Sequence, residues 1–160
     1  MSWETRLEKG RIGERIVDAW LESKGYVPYR PIDGVAHPFD RLVASRDKKT
    51  IRVVEVKAKP RREKYPDTGI PTSHYNDYKH IQDKYGIQVF IAFVDEVLKK
   101  IYGNFLDELD KPDGRYPLRY ADVTYFPLSK MLDIKRLTDE QCAELAALRR
   151  SNYRAEGRRA

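Results

Sequence analysis

Apolar residues recur at helical spacing between residues 6 and 24, where Ile16, Val17, Trp20 and Leu21 form a stripe that Gly25 closes, and this spacing predicts a first helix. Gly10 and Gly13 fall on the stripe side, where a missing side chain lets the backbone approach a neighbouring sheet. Residues 26–38 carry three prolines and Gly34 and read as extended chain and loop. The period then changes to two. Residues 39–44 and 51–58 alternate on either side of the polar stretch 45–50, an antiparallel hairpin that Pro60 ends. Residues 59–72 read as a Pro/Gly-containing loop, and residues 73–85 as a helix with Tyr78, Ile81 and Tyr85 on one face and Gly86 as its stop. Residues 88–94 are apolar on both faces, as in a strand covered on both sides. Residues 98–106 predict a further strand, and 116–126 an irregular one disturbed by Pro117 and Pro127. Thr138 and Gln141 make a capping box for a last helix reaching about Arg150.

This order predicts an α/β fold: a restriction-endonuclease-like core with a mixed central β-sheet flanked by helices. It is read as a single domain over residues 1–150, followed by a basic, mobile tail over 151–160. A chain of 160 residues is long enough to bury a core without disulfides or metal staples. With 35% charged and 41% hydrophobic residues it reads as neither disordered nor membrane-bound, and no apolar run approaches spanning length. The first residues lack a signal-peptide pattern and Cys142 is the single cysteine, so no internal disulfide is possible and a reducing cytoplasm is expected. The formal charge of +6 favours a polyanionic partner. The excess is local, with five basic residues and one acid between Lys57 and Lys64 and the same count from Arg149 to Ala160.

Alternation over residues 51–58 puts Ile51, Val53, Glu55 and Lys57 on one strand face and Arg52, Val54, Val56 and Ala58 on the other. A carboxylate and an ammonium therefore follow apolar residues on one face, at the strand's distal end. Burying such charges costs several kcal/mol, on the order of the desolvation penalty of each ion, unless they are paired or bound to metal. Closing the hairpin brings Asp40 towards the same end. Two carboxylates a few ångströms apart repel unless a divalent cation neutralises them. Magnesium fits, being hard and commonly bound by one or two carboxylates, waters and a substrate phosphate, whereas no His/Cys cluster points to zinc. Glu14 is the single charge on a helical face shared with Leu7, Gly10, Val17 and Leu21, so it is expected to look inward, as a direct or water-mediated ligand.

These residues resemble the PD-(D/E)XK nucleases. The matching pieces are Phe39-Asp40, then Glu55-Val56-Lys57, preceded by Gly10-Arg11-Ile12-Gly13-Glu14-Arg15-Ile16-Val17. The helix-borne Glu14 with its upstream glycine, and the Gly25-Tyr26 helix end, look most like the archaeal Holliday-junction-resolvase branch. The resemblance spans roughly the first 95 residues in element order, and the one departure is Phe39 before Asp40, with Pro38 a place earlier. It implies a metal held by Asp40, Glu55 and the Val56 carbonyl with help from Glu14, Mg2+ with Mn2+ able to substitute, and Lys57 beside the attacking water. It further implies DNA as substrate, resolution of branched DNA as the favoured role, and a two-fold homodimer for paired cuts. A restriction, repair or phage-type nuclease on linear or flapped DNA is the runner-up. A catalytically silent nucleic-acid-binding module, or a small basic protein of an RNA–protein assembly, are the readings from other classes.

Each residue also has a plainer reading. Glu55 and Lys57 could be an exposed ion pair, and Arg11 or Arg15 could neutralise Glu14 at the helix edge. Lys59, Arg61, Arg62 and Lys64 are expected to grip phosphate or to form a solvated loop. His74 and Tyr75 are placed beside the nucleic acid, while Tyr78 reads as core. His37 and His80 are taken as structural or surface residues, Cys142 as a small buried hydrophobe, and Asp107, Glu108, Asp110 and Asp113 as a solvated turn.

Overall fold

A computed structural model describes residues 2–32 and 34–156, the side chains of 149–156 excepted. Helix α1 (Trp3–Ser23) is capped by Ser2, whose hydroxyl accepts the Thr5 N–H, and Gly25 leaves it at positive φ. Strand β1 (Val27–Tyr29) follows, then β2 (Arg41–Ala44) and β3 (Ile51–Ala58), which pair antiparallel as the hairpin pattern predicts. Strand β4 (Asp67–Pro71) leads into α2 (Thr72–Tyr85), which stops at a left-handed Gly86. Next come β5 (Val89–Asp95), β6 (Lys100–Phe105), the one-turn α3 (Leu106–Leu109), β7 (Leu118–Tyr120), β8 (Val123–Pro127), β9 (Leu132–Arg136) and α4 (Asp139–Glu156).

Six strands form a mixed sheet in the order β1-β2-β3-β5-β6-β9, and β4-β8-β7 form a second, smaller sheet. β3 and β5 are its parallel pair, joined by the α2 crossover that parallel strands require. The α/β fold with a mixed sheet between helices is therefore as expected. Alternation on β3 separates two cores. Val54 and Val56 pack with Ile12, Ile16 and Val17 of α1 and Leu145 of α4, while Val53 packs with Ile91, Phe93, Tyr78 and Phe126 on the α2 side. Strand β5 is buried on both faces.

Some readings change. Residues 59–72 contain β4, because Ile70 and Thr68 bury against β8 in spite of the flanking prolines. Residues 116–126 hold two strands, reversed at Ala121 and Asp122, both at positive φ. β9 carries too little apolar signal to stand out. Helix α4 opens with the expected capping box, Thr138 and Gln141 exchanging two hydrogen bonds, but runs on to Glu156 rather than ending near Arg150. Residues 157–160 of the expected mobile tail lie outside the described residues. Cys142 is a half-buried free thiol packed on the α1-side core, and Tyr85 is exposed rather than part of the buried face of α2. No helix among the described residues is long and apolar enough to cross a membrane.

The two helical glycines part company. A Cβ on Gly13 would stand 2.7 Å from the Cβ of Ala58, so this glycine sets how closely α1 lies on β3, whereas a Cβ on Gly10 would meet nothing within 4 Å. Gly13→Ala is expected to destabilise the fold by about 1–3 kcal/mol through overpacking, although helix propensity alone would favour alanine by about 1 kcal/mol. Denaturant unfolding measures the sign, and a more stable variant would remove the close-approach argument.

Candidate active site

Strand β2 begins at Arg41, which pairs with Val54, and Asp40 lies just before the strand rather than within it. Its side chain continues where the ladder ends: the carboxylate accepts the Val56 N–H at 2.8 Å, and the Asp40 N–H donates to Glu55 Oε2 at 3.1 Å. Glu55 sits between apolar neighbours on the α2 side of β3 and is 4% exposed. Its other oxygen accepts from Lys57 Nζ at 2.6 Å, and the buried Tyr78 phenol lies near the same carboxylate. Lys57 Nζ also lies 3.3 Å from His74 Nδ1. The hairpin and alternation thus bring Asp40, Glu55 and Lys57 together at one corner of the sheet, with His74 at its mouth.

Burial, and then the Glu55 carboxylate, push the Asp40 carboxyl up to about 6, against the pull of the Val56 N–H, Lys57 and Arg41. His74 is held below its ordinary value by burial and by Lys57, which keeps the imidazole neutral so that Nδ1 can accept from the ammonium. The Tyr78 phenol is driven upward by burial and by Glu55, so it stays protonated.

Glu14 stands differently from the other three. The buried stripe of α1 runs through Ile12, Gly13, Ile16, Val17 and Leu21, with Leu7 42% exposed, so Glu14 lies on the margin of the helix face rather than at its centre. Its carboxylate is near enough to Asp40 for the two to disfavour each other's charge, and burial together with Asp40 raises its pKa. The cation that answers it is neither Arg11 nor Arg15 but Arg41, whose Nη2 donates to Glu14 Oε2 at 2.8 Å. Arg41 is 5% exposed and also grips Asp18 through Nε and Nη2 (2.9 and 3.1 Å) and the Asp40 carbonyl through Nη1 (2.7 Å). Among the described residues, no three His, Cys, Asp or Glu side chains gather closely enough to hold a metal. Asp40 and Glu55 form a two-carboxylate pair, with Glu14 set back from it.

Arg41 and Tyr78 take part in the site without having been singled out from the sequence. A signal existed for Arg41, since alternation on β2 sets it beside Val43 on the apolar face towards α1, where a lone arginine needs an acid such as Asp18. Tyr78 was read as core, and it is buried; its nearness to Glu55 depends on how α2 crosses the sheet.

The basic stretch after β3 is turned largely inward. Lys59 Nζ donates to the Gly69 carbonyl, and burial followed by the charge of Lys57 lowers its pKa. Arg61 donates to the Arg62 and Tyr65 carbonyls, and Arg62 makes a two-pronged bond to buried Asp67 while stacking between Tyr65 and Tyr125. Lys64 alone of the four is exposed. Tyr75 packs on Phe126 and donates to Asp110, away from the carboxylate pair. Asp107, Glu108 and Asp110 are tied locally to Gln82, Lys111 and Lys79. His37 bonds the Ile32 carbonyl and His80 is exposed.

The chain matches no protein-family model and no curated protein sequence. Its fold is similar to the solved structure of Archaeoglobus fulgidus Hjc, a Holliday junction resolvase from an archaeal hyperthermophile. The TM-score is 0.55 at 17% sequence identity, over 78% of this chain and 96% of that one. At that identity the likeness concerns the fold alone, a mixed sheet between helices as expected from the sequence.

Proposed function

We propose that this protein is a divalent-metal-dependent endonuclease that hydrolyses phosphodiester bonds in DNA. The observation that carries the reading is the meeting of Asp40 and Glu55 at the open end of β3 with Lys57 Nζ 2.6 Å from Glu55. The donors suit Mg2+, with Mn2+ as a substitute. They are all hard oxygens, and Asp40 is raised in pKa by burial and Glu55 as a carboxyl lacking a direct cationic partner would be. Asp40, Glu55 and the Val56 carbonyl are the proposed ligands, with Glu14 acting through water. When bound, the metal supplies Lewis acidity, lowering the pKa of a water and offsetting charge on the scissile phosphate.

The chain's own groups do the rest. Lys57 has three donors, one on Glu55 and one facing His74, which leaves one for a phosphate or nucleophile oxygen. Neutral His74, accepting from Lys57 through Nδ1, presents its Nε2–H to a phosphate. The likeness to a Holliday junction resolvase favours branched DNA and a two-fold homodimer that makes paired cuts. The free Cys142 suits a reducing cytoplasm.

Incubating the protein with supercoiled, linear and four-way-junction DNA, with Mg2+, Mn2+ or chelator, tests the reading. Cutting is expected with either metal and not with chelator, and fastest on the junction. Cutting that ignores chelator would overturn the metal mechanism. No cutting on any substrate, with tight salt-sensitive binding, would leave a silent DNA-binding module of the same fold.

A further inference from the structure

A groove of about 490 Å3 runs from the start of α1, under the loop that follows β1, to Glu14, Asp40 and Arg41. Its walls are made of side chains that the core does not use: Trp3 is 69% exposed, Leu7 42%, Ile32 80% and Val35 64%. An apolar concentration of this kind is unusual on a surface of high charge. It is edged by cations. Arg6 and Arg11 project from α1 into the same groove, are exposed, and make no ion pair with any described residue, in contrast to Arg15, which is bonded to Glu144. The floor is Gly10. A glycine inside a helix costs about 1 kcal/mol relative to alanine, and here no neighbour demands it, because a Cβ would meet nothing within 4 Å. Its effect is to leave the groove open one helical turn before Glu14.

We infer that this groove seats an unpaired stretch of DNA beside the scissile phosphate, with bases against Trp3, Leu7 and Ile32 and phosphates on Arg6 and Arg11. The inference rests on the nuclease reading only for what lies at the groove's end. A paired duplex offers its outer surface as sugar and phosphate and would use the arginines alone. Exposed aromatic and aliphatic side chains alternating with cations are the arrangement that holds single strands, where every base has a face to stack. The occupant is polyanionic, because of the two guanidinium groups that no described residue pairs, and offers flat apolar faces, because of Trp3. It reaches Asp40 without a break. The substrate class is thus DNA with splayed or single-stranded nucleotides next to the cut, such as a flap or an opened branch point, rather than fully paired duplex.

Titrating the full chain with a short oligothymidylate in chelator, where no cutting occurs, reads binding apart from chemistry. Trp3 fluorescence should be quenched on binding, and the quench should vanish in Trp3→Leu, with Trp20 left as the remaining tryptophan. Trp3→Leu and the groove-filling Gly10→Phe should each weaken the oligonucleotide about tenfold or more, the loss expected for one stacked base. Thermal melts of Gly10→Phe at or above the wild-type temperature would show that the fold is intact, and Gly10→Ala, which fills less of the groove, should bind in between. Quenching and weakened binding in a protein that never cuts would sink the nuclease reading and keep this one. Metal-dependent cutting by a protein whose affinity for the oligonucleotide is unchanged by both substitutions would do the reverse. Self-association in sedimentation that Trp3→Leu abolishes, with no effect on DNA, would also overturn the inference, since the groove would then face a second copy.

Discussion

Asp40→Asn is expected to reduce metal-dependent cutting by at least about a thousandfold, the scale set by losing a ligand and its electrostatic work together. The same change should make the metal-free protein more stable at neutral pH. The Asp40 carboxyl is raised from an ordinary 3.8 to about 6 by burial and by Glu55. Between those values the folded chain holds a proton that the unfolded chain has released, so stability falls as pH rises through the window. The penalty is complete above about 6, where it amounts to roughly 1–3 kcal/mol. Asparagine removes it while its carbonyl still accepts the Val56 N–H. Denaturant unfolding in chelator at pH 8 should therefore favour the variant, and the advantage should fade towards pH 4 as the wild-type carboxyl protonates. Mg2+ should raise the melting temperature of the wild type by mass action and leave the variant unmoved. A variant less stable than wild type at pH 8 in chelator would mean that Asp40 and Glu55 do not repel as the geometry implies.

Arg41→Met is expected to be the costliest single change to the fold. The guanidinium is buried and holds Asp18, Glu14 and the Asp40 carbonyl at once, and removing one member of a buried ionic group costs about 3–5 kcal/mol because the partner charge is left uncompensated. Arg30, itself largely exposed, would remain as the cation on Asp18, at 2.7 Å, and should soften the loss. Adding Asp18→Asn to Arg41→Met should recover stability, the sign that separates a stranded charge from a lost contact. Cutting should fall as well, since Arg41 fixes both the main chain of Asp40 and the carboxylate of Glu14. Arg41→Met costing under about 1 kcal/mol, or a double variant worse than the sum of its parts, would show that the network is not held as a unit.

Glu14 is held by Arg41, whose Nη2 donates to its carboxylate at 2.8 Å. In the metal-free protein its charge is matched by Arg41, and a water between it and a cation at Asp40 and Glu55 would give it a supporting role. Among the described residues the carboxylates form a two-member pair and not a three-ligand cluster.

The pattern along the chain was sufficient for the helix of α1, the β2–β3 hairpin, α2, β5 and the alternation that sets Glu55 and Lys57 on one face. Each depends on residues near one another in sequence, where the period of apolar positions is a direct image of which side is buried. Even the approach of Asp40 to Glu55 was legible, because a hairpin fixes its own register. The second sheet was legible only in part: β7 and β8 form a local hairpin inside the stretch read as one irregular strand, whereas β4 becomes a strand only by pairing with β8 across more than fifty residues. The fate of the basic stretch was closed to the sequence for the same reason. Arg62 and Lys64 look alike in a string of charges, and only the burial of Asp67 decides that one is a structural pin and the other is free to meet solvent. Tertiary structure likewise chose Arg41 as the partner of Glu14, since a charge finds its counter-charge through space, which a one-dimensional pattern does not contain.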